Sequence, residues 1–550
     1  MRLAPVPVGQ PRWPAGAFPD HLATATARLR RNVEDRVGPD GALRDPCRSR
    51  VLESALLLAL LDRTRLEPAA RNRLAAYLSA HRDTPEPLDR LLAQAALDGR
   101  PQEAHLLDMD QFLDQAPAFT GPRKRALLQA VLVLLGAAPT GTMPGPEAFP
   151  ASALHAWARV QVTAVKAVLA HAHGLPHLVE HRDLDLLRST QRPGSVWEGN
   201  ILIHVSVLHA LARFPGHHRI VAAGVRTALK HQRPDGGVPF IRDEDTWVTA
   251  TAGIALHTAG VCAPVVNAVA RRLMDLQQPA GGWSYSEGVE LADVDCTSVA
   301  TEVLHLTGPD THRVPVARAI AALHALRGPD GGFPTYLAGA PSEAGMTAAA
   351  INALATQGPR QQDTVARALT FLASQQRADG SFPPDWSRSR LHTVFRAALA
   401  ASGGSTTPGT AVRRITERAL RLVQESQNAD GGWGHRDGTP SDALSTAYAL
   451  TTLAAVGTRD AVCHAARGAA YLLSQQRPDG SIASIPDSIG PRPFGFTVPV
   501  LADVFSLLAL GHLARRVQPE PTISRESREP PHNAWRPAAP GPAPEQAASV

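Results

Sequence analysis

The chain has 550 residues, 44% of them hydrophobic, and a formal net charge of +5. That is enough apolar material for more than one packed domain at roughly 100–200 residues each. The arginines are scattered instead of running together, which argues against a nucleic-acid stripe and suits an anionic small ligand. Cys47, Cys262, Cys296 and Cys463 lie far apart without Cys-x-x-Cys spacing, so neither a disulfide framework nor a zinc knuckle is indicated. The N-terminus lacks a signal-peptide core, and no run reaches the roughly 20 apolar residues of a membrane span. The chain reads as cytoplasmic.

Residues 1–19 are Pro-rich and form either an irregular segment or one that packs on the body behind it. A helical pattern covers 21–37 and ends at the turn Gly38-Pro39-Asp40-Gly41. A second helix follows over 48–63, with Leu52, Ala55, Leu56, Ala59 and Leu60 on one face. Apolar recurrence near 3.6 residues, punctuated by Pro and Gly, predicts further helices at 67–81, 86–98, 101–114, 122–137, 151–173 and 177–189. β-branched alternation is nearly absent, so the first half is all-α.

The second half is a repeat. Gly-rich turns recur at Gln232–Gly237, Gln278–Trp283, Gly328–Phe333, Gln376–Ser381, Gln427–Trp433 and Gln476–Ser481. An amphipathic helix precedes each turn. After each comes a short loop and a more apolar helix, such as Thr246–Thr258, Asp295–Leu306 or Asp442–Val456. Units that cannot bury their own face stack on their neighbours, and six such pairs over about 216–515 can close into a double-walled barrel. The fold class expected is all-α, with a helical domain over 20–215, a six-hairpin barrel over 216–517 and a disordered tail over 518–550.

One copy of the repeat breaks the pattern. Asp293-Val294-Asp295 stands at the start of the second inner helix, and no other copy carries Asp-x-Asp. Read alone, the pair is an N-cap and a first-turn acid that suits the helix dipole. As the single acidic copy in a repeat, it is a candidate active site.

The turns Gln278…Gly282-Trp283 and Gln427…Gly432-Trp433 carry a Gln…Gly-aromatic pattern that resembles the prenyltransferase and squalene-cyclase families. Asp293-Val294-Asp295-Cys296-Thr297 is similar, at four of five places, to the Asp-x-Asp-Asp-Thr motif of the class II terpene cyclases. Cys296 is the departure. Cys296-Thr297 is closer in size to the Asp-x-Asp-Thr-Thr variant of the drimenyl diphosphate synthases, which cyclise farnesyl diphosphate. The resemblance implies two α/α-barrel domains, termed γ and β in that family, with the Asp-x-Asp in the β barrel.

It also implies a chemistry. Protonating an alkene needs a strong acid that is already protonated, whereas an ordinary Asp is ionised at pH 7. Burial and a second carboxylate raise one member of such a pair. The resemblance makes Asp295 the proton donor and Asp293 its partner, with Thr297 or Cys296 offering local hydrogen bonds. Carbocations need electron-rich faces. The candidates at the mouth are Trp247, Trp283, Tyr285, Phe333, Tyr336, Trp386, Trp433, Phe494 and Phe496. Aromatics total only 5%, which points to a shorter substrate than a thirty-carbon chain. The run Arg242-Asp243-Glu244-Asp245 offers three hard oxygen ligands for Mg²⁺, and Glu198 is a weaker candidate. Arg242, Arg388, Arg390, Arg436 and Arg492 are available to pair with a diphosphate.

The partners implied are a prenyl diphosphate and, compatibly, a second copy in a homodimer. Geranylgeranyl diphosphate and a polyprenyl arene are the alternative substrates. A zinc-dependent protein prenyltransferase β-subunit shares the barrel but would need Cys296, an Asp and His392 as ligands. A non-catalytic binding scaffold is the alternative from another class.

Overall fold

A computed structural model describes residues 11–99, 109–114, 116–138, 141–150, 152–403 and 409–518. Most of the helix expected over 101–114 and the tail from 519 onward lie outside the described residues. Among those described, the apolar periodicity becomes helix almost throughout. The chain forms α1 (Leu22–Asp35), α2 (Val51–Thr64), α3 (Pro68–Ala80), α4 (Pro87–Asp98), α5 (Met109–Leu113), α6 (Gly121–Leu134), α7 (Ala156–Ala172), α8 (His181–Ser189), α9 (Ile201–Leu211) and α10 (His218–Leu229). It continues with α11 (Asp245–Thr258), α12 (Ala263–Leu276), α13 (Val294–Thr307), α14 (Arg313–Leu326), α15 (Ala344–Ala355) and α16 (Gln362–Gln375). The series ends with α17 (Leu391–Ser402), α18 (Thr410–Glu425), α19 (Ala443–Val456), α20 (Ala461–Ser474) and α21 (Leu501–Arg516). The described strands form only two-stranded pairs. β1 (Trp13–Pro14) lies parallel to β4 (Val517–Gln518), and β2 (Ser49–Arg50) lies antiparallel to β3 (Val238–Pro239). Among the described residues no helix is long and apolar enough to cross a membrane.

Helix composition sorts the barrel walls. Every residue of α19 from Ala443 to Ala455 is buried, as a helix that is apolar all round must be. α18 buries only Ile415, Ala419, Leu422 and Val423 along one stripe. The inner helices α11, α13, α15, α17, α19 and α21 each pack on the next, and α21 packs back on α11.

The turns lock the outer wall. Gln277 donates from Nε2 to its own turn at Gly281 O (2.8 Å) and to Pro315 O on α14 (2.8 Å). Gln376, Gln427 and Gln476 repeat this on Ile415 O, His464 O and Ala25 O. The residue that staples is thus Gln277, whereas Gln278 of the expected motif donates to Val289 O. The turn glycines allow the approach. Gly281 has φ +95°, and a Cβ there would meet Arg318 O at 2.5 Å, which only glycine avoids.

The closing contact corrects the expected pairing. The last turn is stapled to Ala25 in α1, so α1 completes the outer wall of α12, α14, α16, α18 and α20. The turn after α1 rests on α12, where a Cβ at Gly41 would meet Ala268 O at 2.1 Å. Leu43 N donates to Thr249 Oγ1 of α11 at 2.9 Å, just as Trp283 N donates to Thr297 Oγ1 at 3.1 Å. α10, the expected first outer helix, packs on α9 instead. Its turn is stapled by Gln232 to Ala70 O of α3. The chain therefore builds one outer helix, leaves to form the α2–α10 body, and returns at α11. Just before α1, Trp13 is fully buried and donates to Thr458 O.

Candidate active site

Asp293 stands at the N-cap of α13 and its Oδ1 accepts from Cys296 N at 2.7 Å. Its own N–H donates to Trp283 O at 3.0 Å. The loop before it is held from the α2–α10 body, where the Glu198 carboxylate accepts from Trp157 Nε1 (2.9 Å) and from the backbone N–H of Glu290 (3.1 Å). In the first turn of the helix, Asp295 meets Arg396 of α17, with Nη1 2.6 Å from Oδ1. Asp295, Asp293, Cys296 and Glu244 all line one cavity of about 570 Å³, a normal size for a small-molecule site.

The electrostatics of this corner follow from crowding acids where water is scarce. Burial, with the Asp295 charge added, raises Asp293 to about 7 even though the Cys296 bonds pull the other way. Burial and the charges of Asp293 and Asp295 raise Glu244 to about 8. Glu302, two turns along α13 from Asp295, is raised to about 8 by burial despite Arg396 nearby. Burial opposes the charge on Arg396, but Asp295, Asp385 and Glu302 more than offset it and hold the guanidinium protonated. The corner thus holds a proton reservoir and one fixed cation. Such groups titrate as a unit. Burial also keeps the Cys296 thiol well above its usual range, so it is a neutral filler and not a thiolate ligand.

The rest of the lining combines aliphatic side chains with a set of aromatic rings and a group of cations. Of the candidate aromatics, Trp247, Tyr285, Tyr336, Trp386 and Phe496 line the cavity, together with Trp157, Tyr448 and Phe505. Tyr336 meets Trp157 (5.4 Å) and Trp386 (6.1 Å) edge-on. It senses Asp293 and Cys296 as well as Arg492 and Glu343. Arg492 lies over the Trp386 ring at 4.2 Å and pairs with Glu343. Arg123 and Lys124 of α6 join it in the lining, and burial with these like charges pushes Lys124 well below its usual range.

Several expected residues lie elsewhere. Trp283 and Trp433 are fully buried in the barrel wall, each indole N–H donating at 2.7 Å, to Leu273 O and Val423 O. Thr297 has the same kind of scaffold role, because its hydroxyl receives the Trp283 N–H as Thr249, Thr347 and Thr446 receive theirs. Phe494 packs on Phe112 at 5.2 Å, outside the lining.

Arg242 is bonded to Asp243, Ser286 and Glu287 O and does not reach the cavity. Asp243, Glu244 and Asp245 do not converge. Asp243 accepts from Arg242 and Ser286, Asp245 accepts from Asp45 N, and only Glu244 faces the cavity. Successive residues at a helix start point in different directions. Among the described residues, no group of three or more His, Cys, Asp or Glu is placed to hold a metal. The Mg²⁺ assignment therefore does not fit this run. The zinc alternative meets the same obstacle, since Cys296, the aspartates and His392 form no such group among the described residues.

Arg396, Glu302, Arg123 and Lys124 were not singled out from sequence. Arg396 and Glu302 did leave a signal, as isolated charges inside otherwise apolar inner helices.

An (α/α)₆ barrel whose inner wall presents Asp-x-Asp to an aromatic, desolvated cavity is the arrangement of a class II terpene cyclase. Family models agree: residues 222–383 match the prenyltransferase alpha-alpha toroid domain and residues 337–515 the squalene-hopene cyclase C-terminal domain. The chain is 40% identical over 509 residues to a drimenyl diphosphate synthase of Streptomyces showdoensis, covering 90% of this chain and 95% of that one. A drimenyl diphosphate synthase of Streptantibioticus cattleyicolor is 41% identical over 508 residues, with 88% and 93% covered. The structure of ent-copalyl diphosphate synthase from Streptomyces platensis shares the fold, with a TM-score of 0.58 at 21% identity over 90% of this chain and 100% of that one. The chain belongs to the drimenyl diphosphate synthase family of class II terpene cyclases.

Proposed function

We propose that this enzyme protonates the terminal alkene of farnesyl diphosphate and cyclises it to a bicyclic drimenyl diphosphate, with the diphosphate retained. The observation that carries this reading is Asp295. At its place in the repeat α15 has Gly345 and α19 has Leu444. Only α13 sends a carboxyl into the aromatic cavity there. Asp295 delivers the proton to the alkene, and the carboxylate left behind is caught by Arg396. Asp293 and Glu244, raised by burial to about 7 and about 8, keep protons in that corner between turnovers. Trp247, Tyr336, Trp386, Tyr448 and Phe505 present π faces to the cations that follow.

The diphosphate is assigned to Arg123, Lys124 and Arg492. Its arrival restores the charge that burial takes from Lys124. No step is assigned to Mg²⁺. We also assign the chain to two bodies, α2–α10 as the γ-like domain and α11–α21 with α1 as the β-like barrel, with the cavity lined by both.

The test is incubation with C15 and C20 prenyl diphosphates, followed by phosphatase treatment and mass spectrometry. A bicyclic C15 alcohol after phosphatase, and none from an untreated sample, is the expected result. Cyclisation of the C20 substrate alone would replace this reading with a diterpene cyclase.

A further inference from the structure

A cyclisation begun by a proton must end by losing one, and the base has to stand where the last cation forms. The aromatic rings mark that place. Phe395 and Tyr448 stack at 5.0 Å, Phe505 closes on both at 5.8 and 5.1 Å, and Trp247 lies 6.1 Å from Phe505. The His392 ring sits inside this nest, 5.4 Å from Phe395 and 5.3 Å from Tyr448, and it lines the cavity.

Its orientation is fixed from behind. Nδ1 bonds Asp385 Oδ2 at 2.9 Å, and Thr393 Oγ1 donates to the same oxygen at 2.8 Å. With Nδ1–H donated to a carboxylate, the lone pair of the ring belongs to Nε2. That nitrogen has no protein partner among the described residues. The arrangement is an oriented imidazole with a buried carboxylate behind it, the geometry by which a carboxylate fixes a histidine base and stabilises the imidazolium it becomes. Asp385 is ready for that part. Burial opposes its ionisation, but the bond to His392 and the charge of Arg396 outweigh it and hold the carboxyl well below the usual range.

Other basic groups of the cavity are less fit. Both oxygens of Asp487 are taken, by Ser387, the Ser389 N–H and Tyr448. Glu343 is bonded to Arg492 and Thr335. His155 is lowered to about 3 by burial and by Arg123 and Lys124, and it stands with those cations. Asp295 is the spent acid, already paired with Arg396.

Position also fits. His392 and Arg396 are one turn apart on α17, where side chains four residues apart are neighbours about 5–6 Å apart at Cβ. Arg396 holds the acid, so one helix face carries both the partner of the acid and the base.

We infer that His392, oriented by Asp385, is the base that terminates the cyclisation. Nε2 takes a proton from a carbon next to the last cation. The C–H electron pair becomes the new C=C bond and quenches the cation. The proton stays on the imidazolium, whose charge faces Asp385. The Asp295 proton gained by the substrate and the one lost to His392 balance, so the product is an isomer of the substrate. The imidazolium is surrounded by Asp385 before α17, Arg396 on α17, and Tyr448 with its partner Asp487 from the α19 side.

This inference rests on the proposed cyclase reading, and product analysis separates the two. Wild type is first assayed with farnesyl diphosphate, and failure to form any bicyclic diphosphate sinks the cyclase reading itself. His392→Gln is then expected to form the wild-type alkene about 10²-fold more slowly, at the lower end of general-base effects. Its remaining flux should spread into alkene isomers and water-captured alcohols, seen by gas chromatography and mass spectrometry after phosphatase. Asp385→Asn should show the same drift in weaker form, and it serves if the glutamine variant does not fold. A merely structural histidine would slow turnover while leaving the product ratio alone. A variant that is slower but gives the wild-type alkene in unchanged share overturns the assignment.

Discussion

The starts of α13 and α19 are two copies of one piece of scaffolding, and of the two only α13 carries the proposed acid. Asp293 caps α13 through Cys296 N at 2.7 Å, and Asp442 caps α19 through Ser445 N at 2.8 Å. Each Asp N–H bonds the carbonyl of a repeat Trp, each Trp N–H bonds a Thr hydroxyl, and each indole N–H bonds the preceding outer helix. Burial raises both aspartates to about 7. A raised carboxyl is therefore ordinary for this repeat and does not identify an active site. The difference lies two residues on, where α13 has Asp295 facing the cavity and paired with Arg396, and α19 has Leu444. Asp293 is an inherited cap next to which an acid was placed.

The sharpest break in that comparison is Asp295→Asn. Asparagine keeps the shape and still accepts from Arg396, but it has no proton to give. Turnover is expected to fall by at least about 10²–10⁴-fold, the usual share of general-acid catalysis, with farnesyl diphosphate binding by calorimetry retained. Cyclisation at the wild-type rate would end the assignment.

Next in size is the paired test of the caps. Asp293→Ala and Asp442→Ala each lose an N-cap and should cost a similar ~1 kcal/mol in thermal or urea melts. Only Asp293→Ala should also lower kcat, since only that carboxyl neighbours the acid. Equal losses of activity would make Asp293 pure scaffold.

A smaller effect is read from pH. Turnover should fall on the alkaline side as the corner loses its protons, between about 7 for Asp293 and about 8 for Glu244. Glu244→Gln should shift that limb. The same groups set a stability slope. Their folded pKa lies above the ordinary carboxyl values of 3.8 and 4.5, so over the range between, the unfolded chain binds fewer protons than the native one. Their contribution is complete at acid pH and is lost as pH rises toward 8. Glu244→Gln should flatten that part of the slope in melts at several pH values.

The smallest effect on activity belongs to the Thr pair. Thr297→Val and Thr446→Val each remove one buried hydrogen-bond acceptor and should destabilise alike by about 1–3 kcal/mol. Neither should alter the product, and a changed product from Thr297→Val alone would return that residue to the chemistry.

Much of this was legible in the sequence because it is repetitive. Gly-rich turns at regular spacing and the period of the apolar residues suffice for a helical barrel, and a lone Asp-x-Asp in a repeat is what marks out the proposed acid. What escaped has a physical reason in each case. α1 was assigned to the other body because about 200 residues separate its turn from α11, and Val37 and Leu43 stand where other turns have Gln and an aromatic. Trp283 and Trp433 are aromatic in sequence whether they face a cavity or a wall, and only packing tells which. The acids at 243–245 look like a metal site in one dimension, but a helix start points them apart. Arg123 and Lys124 come from α6, and no local pattern connects α6 to a barrel more than a hundred residues away.

The stapling of the last turn onto α1 has a consequence for how the protein is made. Arg28 Nη2 and Gln476 Oε1 meet at 2.9 Å across a separation of 448 residues. At ribosomal rates of about 5–20 residues per second, that is on the order of a minute of translation. Throughout that time the stripe of Ala25, Leu29 and Val33 waits for α20 and α21. An apolar helix left without its partner is a target for chaperones and for aggregation, so the nascent chain is most exposed while its helices are already formed. Barrel closure is then a late, non-local event, and the yield of this enzyme in a foreign host should depend more on synthesis rate and chaperone supply than on the stability of the finished fold.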